Sequence, residues 1–145
     1  MRKKAVSHNK TPENLLLALQ EEQAKRGYLS SDFMTELAGS FGVPLGNVFG
    51  IASFYSFLSV KPSGRNVIRI CKSLPCYLKS CQVIIETVQK EIGIKPGEIT
   101  PDGRFSFELT NCIGLCDKPP AMLINSDAHV DLTPGKISRI LQNYK

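Results

Sequence analysis

The chain has no tryptophan and only two histidines, and it has no apolar stretch long enough to cross a bilayer. His8 and His129 are isolated and read as surface residues, so histidine-based metal or acid–base chemistry has little to draw on. The longest mostly apolar run, Val48 to Val60, is thirteen residues broken by three serines, against the roughly 20 that a spanning helix needs. Met1-Arg2-Lys3-Lys4 is basic but no apolar segment follows it, so a cytoplasmic protein with no direct membrane insertion is expected. The net charge of +5 is spread along the chain without a basic run longer than three residues or basic–aromatic interleaving, which argues against a nucleic-acid partner. Also missing are a glycine-rich phosphate loop, a dinucleotide fingerprint and a nucleophile–base pair, so no site for NAD, flavin or a carbon substrate is visible. Five cysteines cannot all pair, and a cytosolic chain would keep them reduced, so a disulfide framework is the weakest reading of them.

What the chain does have is two tight cysteine pairs, Cys71-Lys-Ser-Leu-Pro-Cys76 and Cys112-Ile-Gly-Leu-Cys116. The intervening residues read as one helix and one strand. Thiolates offered two and two from separate loops suit a metal ion or an iron–sulfur cluster.

The rest of the sequence falls into two stretches, 1–60 and 61–145. In the first, Thr11-Pro12-Glu13 is a helix start with a capping hydroxyl and proline at the first helical position, and Lys25-Arg26-Gly27 is its stop. A second helix is expected from Ser31-Asp32 to Gly42, and a third from Pro44, apolar on most sides through Val48, Phe49, Ile51, Ala52, Phe54 and Tyr55. These three helices are expected to form a small N-terminal bundle. Lys61-Pro62-Ser63-Gly64-Arg65 reads as a linker. After it come a buried strand ending at Cys71, a helix over 75–92 with Leu78, Cys81, Ile85, Val88 and Ile92 as its apolar stripe, and a strand over 104–110. On that strand Phe105, Phe107 and Leu109 alternate with Ser106 and Glu108. Ala121–Ile124 is a further strand, and Thr133-Pro134 opens a last helix. The order β-α-β-β-α describes an α/β fold with an open sheet.

A strand–helix–strand unit brings its strands parallel through a right-handed crossover. The carboxyl ends of strands 66–70 and 104–110 then share one sheet edge, where open α/β sheets place ligands. Each cysteine pair follows one of those ends. Zinc is one candidate occupant, since both loops fall within the spacing it accepts, although neither is a two-residue knuckle. A 2Fe–2S cluster is wider than one ion and suits longer loops. With two ferric irons, two sulfides and four thiolates its charge is −2, becoming −3 on reduction, which calls for nearby N–H donors. Gly114 allows the backbone to wrap closely. No histidine lies near either pair, which argues against a Rieske-type site.

From Leu15 onward the chain resembles the thioredoxin-like 2Fe–2S subunits of NADH:quinone oxidoreductase (respiratory complex I) and of NAD(P)-linked hydrogenases and formate dehydrogenases. The residues that carry the resemblance are Gly27-Tyr28-Leu29, Phe54-Tyr55-Ser56-Phe57, Cys71 with Pro75-Cys76, and Gly93-Ile94-Lys95-Pro96-Gly97. To these are added Thr100-Pro101-Asp102-Gly103, Cys112-Ile-Gly-Leu-Cys116-Asp117 and Pro120. The resemblance implies a thioredoxin-like sheet with one 2Fe–2S cluster at its edge, ligated by Cys71, Cys76, Cys112 and Cys116. It implies a one-electron transfer subunit with no catalytic site of its own. A partner subunit would bind FMN and NAD(P)H, beside further iron–sulfur, hydrogenase or formate dehydrogenase subunits. A lone cluster moves one electron and NAD(P)H delivers a hydride, so a flavin must stand between them. The alternatives are a stand-alone thioredoxin-like ferredoxin and a zinc-stapled interaction module. The chain departs from the family pattern at Ser80, where a glycine is usual, at Cys81, where a small residue is usual, and at Leu115 and Pro119, where alanine is usual.

Cys81 falls on the apolar stripe of its helix and reads as a small core residue. Lys72, Lys79 and Lys118 flank the cysteine loops, suiting either an acidic partner or plain solvation. The aromatic run Phe54–Phe57 is expected to pack the third helix against the sheet, with a partner-facing patch as the second reading.

Overall fold

The computed structural model describes residues 14–144. The expected helix start at Thr11-Pro12-Glu13, the Met1–Lys4 segment and His8 lie outside the described residues. The chain divides into two compact units between Pro62 and Ser63.

The first unit carries α1 (Leu15–Arg26), α2 (Ser31–Phe41) and α3 (Leu45–Phe54). Helix α1 stops where Gly27 turns left-handed at φ 80° and donates its N–H to the Gln23 carbonyl. The Ser30 hydroxyl caps α2 by accepting from the Phe33 N–H at 3.2 Å. Leu15, Leu19, Leu29, Met34, Leu37, Ala38, Val48 and Ala52 bury together as the core of this unit. Gln23 ties its end to its beginning, donating to the Gly27 carbonyl and accepting from the Ser59 N–H. In the aromatic run Phe54 is 80% exposed, and Tyr55 and Phe57 are also exposed. Helix α3 ends at Phe54, and the following turn, closed by the Leu58 N–H on the Tyr55 carbonyl, takes the chain out of the helical register.

The second unit holds a four-stranded sheet in the order β2-β1-β3-β4, with β1 Asn66–Cys71, β2 Phe105–Thr110, β3 Met122–Ile124 and β4 Asp127–His129. Strands β1 and β2 are parallel, and the β1/β3 and β3/β4 pairs are antiparallel. Helices α4 (Leu74–Leu78) and α5 (Cys81–Ile92) fill the β1–β2 crossover, and α6 (Pro134–Gln142) closes the unit. Ile68, Ile70, Ile84, Val88, Phe107, Met122, Ile124 and Ile137 form the centre of the core, each almost wholly buried. Side chains of this kind each contribute about 1.5–3 kcal/mol when fully buried.

Three sequence expectations change here. The helix expected over 75–92 is two helices, broken at Lys79-Ser80, where Ser80 sits left-handed at φ 60° and ψ 40°. Leu78 leaves the buried stripe in consequence and is 71% exposed, while Ile84 joins Cys81, Ile85 and Val88 inside. Strand β2 does not alternate cleanly, because Ser106 is buried under Gly64 and Leu109 is partly exposed. A short strand, β4, follows the turn at Asn125-Ser126, where the sequence pattern gives no strand signal.

Candidate metal centre

The parallel register pairs Cys71 with Thr110, so the first pair of cysteines begins at the last residue of β1 and the second begins two residues beyond the end of β2. Both pairs therefore leave the same edge of the sheet, as the crossover rule requires. Arg69 and Glu108 are register partners on these strands, and their side chains pair at 3.0 Å with the guanidinium almost buried, which locks the two strands just short of the site.

The first pair is enclosed and the second is open. Cys71 is 1% and Cys76 is 2% exposed, whereas Cys112 and Cys116 lie on an exposed loop. Cys76 occupies the middle of α4, whose second residue is Pro75, and its neighbours Leu74, Tyr77 and Leu78 face solvent. Cys112 and Cys116 bring their sulfurs to 3.1 Å, well beyond the ~2.05 Å of a disulfide. Between them Gly114 takes φ 81° and donates its N–H to the Cys112 sulfur at 3.4 Å. That conformation costs an L-residue about 1–2 kcal/mol and costs glycine little.

The electrostatics follow the same division. Burial pushes the Cys76 thiol up to about 11; the Ala121 backbone opposes the shift, and the neighbouring Cys71 adds to it. Burial also raises Cys81, with Cys71 contributing. The Cys116 hydrogen bond and the Gly114 N–H lower Cys112, and that same hydrogen bond raises Cys116. Cys71 bears on Cys76, Cys81 and Cys116, so the two pairs lie within electrostatic reach of each other. A cation bound by these thiols would release their protons.

Among the described residues, no three His, Cys, Asp or Glu side chains are drawn into one ion-sized knot. The thiols interact two by two, Cys71 with Cys76 and Cys112 with Cys116, so the donor set is the two-and-two set that a binuclear group would need. Gly114 already supplies one N–H aimed at a sulfur. Cys81 lies at the start of α5, 2% exposed within the apolar core, as its sequence position suggests. Lys72, Lys79 and Lys118 are exposed. A shallow depression of about 330 Å³ lined by Glu91, Ile92, Thr100, Asp102, Arg104 and Phe105 lies at the amino end of β2, away from the cysteines. Sequence reasoning misses the exposed apolar face of α4. The spacing assigns Leu78 to a buried stripe that a left-handed residue interrupts, and the only advance signal is Ser80 in a glycine position.

A family profile for thioredoxin-like 2Fe–2S ferredoxins matches residues 1–145. The chain is 41% identical over 128 residues to a subunit of NADH-quinone oxidoreductase from Escherichia coli (strain K12), covering 88% of this chain and 77% of that protein. It is 31% identical over 131 residues to the HndA subunit of NADP-reducing hydrogenase from Solidesulfovibrio fructosivorans, covering 90% of this chain and 77% of that one. Among solved structures it superposes on a chain of an air-oxidised NAD+-reducing NiFe-hydrogenase with a TM-score of 0.80 and 27% identity. That superposition takes in 96% of this chain and 24% of the hydrogenase chain, so this protein corresponds to about a quarter of the latter.

Proposed function

The chain belongs to the thioredoxin-like 2Fe–2S ferredoxin family, and from that premise we propose that it is the one-electron subunit of a multisubunit NAD(P)-linked oxidoreductase. It exchanges electrons there with a flavin-containing partner. The observation that carries this reading is the delivery of two thiol pairs to one sheet edge by the parallel β1–β2 register.

Cys71 and Cys76 would hold one iron and Cys112 and Cys116 the other, while Cys81 stays in the core. The cluster, when bound, supplies a centre that accepts and returns a single electron without a proton or a bond change. The protein's own residues set the conditions. The burial of Cys71 and Cys76 keeps water from one side of the site, and the Gly114 N–H stabilises negative charge on the Cys112 sulfur. Arg69 and Glu108 fix the strand ends from which both loops spring. A single cluster exchanges one electron whereas NAD(P)H delivers a hydride, so FMN and NAD(P)H are assigned to the partner subunit.

The helices α1, α2 and α3 make a bundle whose exposed aromatics, Phe54, Tyr55 and Phe57, add to the contact with the rest of the complex. A free carrier has less use for such an extra unit, which favours a subunit over a stand-alone ferredoxin. Of the described helices, none is long and apolar enough to cross a membrane, and a place in the cytoplasm, free or on the inner face of a membrane complex, suits this role.

Purified protein should show the visible absorption of a 2Fe–2S centre and, after dithionite, the paramagnetic resonance signal of one unpaired spin. NADH should reduce that centre only when a co-purifying flavoprotein is present. A colourless protein holding one zinc per chain would refute the reading, as would rapid reduction by NADH of flavin-free protein.

A further inference from the structure

Helix α4 places a buried ligand and an exposed apolar face within five residues. Cys76 is 2% exposed, yet Leu74, Tyr77 and Leu78 around it are 66%, 65% and 71% exposed. Three large apolar side chains left in water on one turn form a contiguous patch of the kind that marks an interaction site. Segment 71–80 carries Lys72 and Lys79 and no acid, and both lysines are exposed. The loop with the second cysteine pair is different in kind, since Asp117 and Lys118 sit side by side there. The patch is thus apolar at its centre and positive at its flanks.

Resting on the electron-transfer reading above, we infer that Leu74, Tyr77 and Leu78, flanked by Lys72 and Lys79, are the surface on which the flavin-bearing partner docks through an apolar face rimmed with acidic residues. Electron exchange falls steeply with distance, so a productive surface has to lie against a ligand. Leu74 and Tyr77 are within two residues of Cys76, and Lys72 directly follows Cys71. The positive flanks select the occupant. A second copy of this chain would bring the same lysines face to face, whereas an acidic rim meets them with opposite charge and accelerates encounter. A standard interface buries about 800 Å² on each side. A five-residue helix supplies only its centre, where truncation effects concentrate.

The test uses the full-length, cluster-loaded chain and the flavoprotein that co-purifies with it. Tyr77→Ser/Leu78→Ser should weaken binding at least tenfold, and Lys72→Glu/Lys79→Glu should slow association at least fivefold and flatten its salt dependence. Both variants should keep the visible spectrum and reduce benzoquinone, a neutral acceptor that needs no docking, at the wild-type rate. Wild-type affinity in Tyr77→Ser/Leu78→Ser would overturn the surface while leaving the electron-transfer reading intact. A shifted midpoint potential with unchanged association in the lysine variant would overturn it too, by assigning the lysines to tuning the cluster. Concentration-dependent self-association of the wild type, abolished by the serine variant, would give the face to a second copy instead. If no flavoprotein binds the wild type, the electron-transfer reading itself fails and this proposal with it.

Discussion

Gly64 sits in what the sequence presents as a linker, and the structure turns it into a sensitive position. It is buried against the start of β2, and a Cβ built on it would stand 2.6 Å from the Phe105 carbonyl carbon, 2.8 Å from the Ser106 nitrogen and 2.9 Å from the Phe105 oxygen. All three atoms are backbone, so no side chain can swing aside. The Gly64 N–H also donates to the Ser106 hydroxyl at 2.5 Å, and the next two residues pair with the Gly103 and Arg104 carbonyls. A methyl group in that space forces β1 and β2 apart at the amino end of the register that aligns the cysteines. Overpacking of this kind costs about 1–3 kcal/mol, and loss of the buried hydrogen bond adds about 1 kcal/mol. For a unit of this size, Gly64→Ala should lower the melting temperature by roughly 4–8 °C per kcal/mol lost. The assay is thermal loss of the cluster's visible absorption, which reports on the second unit. Gly135→Ala, in the first turn of α6 of the same unit with nothing within 4 Å of its added Cβ, is the control. Helix propensity alone makes it neutral to about 1 kcal/mol stabilising. An unchanged melting temperature in Gly64→Ala would refute the close-approach argument.

Replacing any one of Cys71, Cys76, Cys112 or Cys116 with serine should remove or grossly alter the visible absorption, whereas Cys81→Ala should leave iron content and spectrum nearly unchanged; loss of the cluster in Cys81→Ala would overturn the ligand assignment. A chain starting at Ser63, where the second unit begins, should stay soluble and keep its cluster but bind the flavoprotein more weakly. A start at Arg65 should be less stable, because it deletes the Gly64–Ser106 bond; equal pull-down of the partner by full-length and Ser63-start protein would remove the docking role of the helical unit. The Tyr144 hydroxyl, desolvated and hydrogen-bonded to Asp127, has its pKa raised from 10.0 to about 12. Its folded-state pKa lies above the unfolded one, so this stabilisation is complete below pH ~10 and disappears as pH rises through the folded value. Stability curves of wild type and Tyr144→Phe should therefore differ in slope between pH 10 and 12, and parallel curves there would count against it.

The cysteine spacing by itself singled out the four candidate thiols, because two thiol pairs in separate loops have few uses in a chain with so little histidine. The start of α2 at Ser31 and the stops at Gly27 and Gly42 were likewise legible, since first-turn acids and left-handed turns are local chemistry written in single residues. The parallel β1–β2 pairing followed from crossover handedness, a rule that needs only the order of elements. Other features depended on contacts distant in sequence. Ser106 is buried because Gly64, 42 residues away, lies over it, and alternation along β2 gives no hint of that. Leu78 is exposed because Ser80 turns left-handed and ends α4, so a 3-4-3-4 spacing that reads as one helix belongs to two. The division of the site into an enclosed pair and an open pair was decided last. Cys71 and Cys76 lie in the core, Cys112 and Cys116 lie on a loop, and only tertiary packing determines which thiols lose their water.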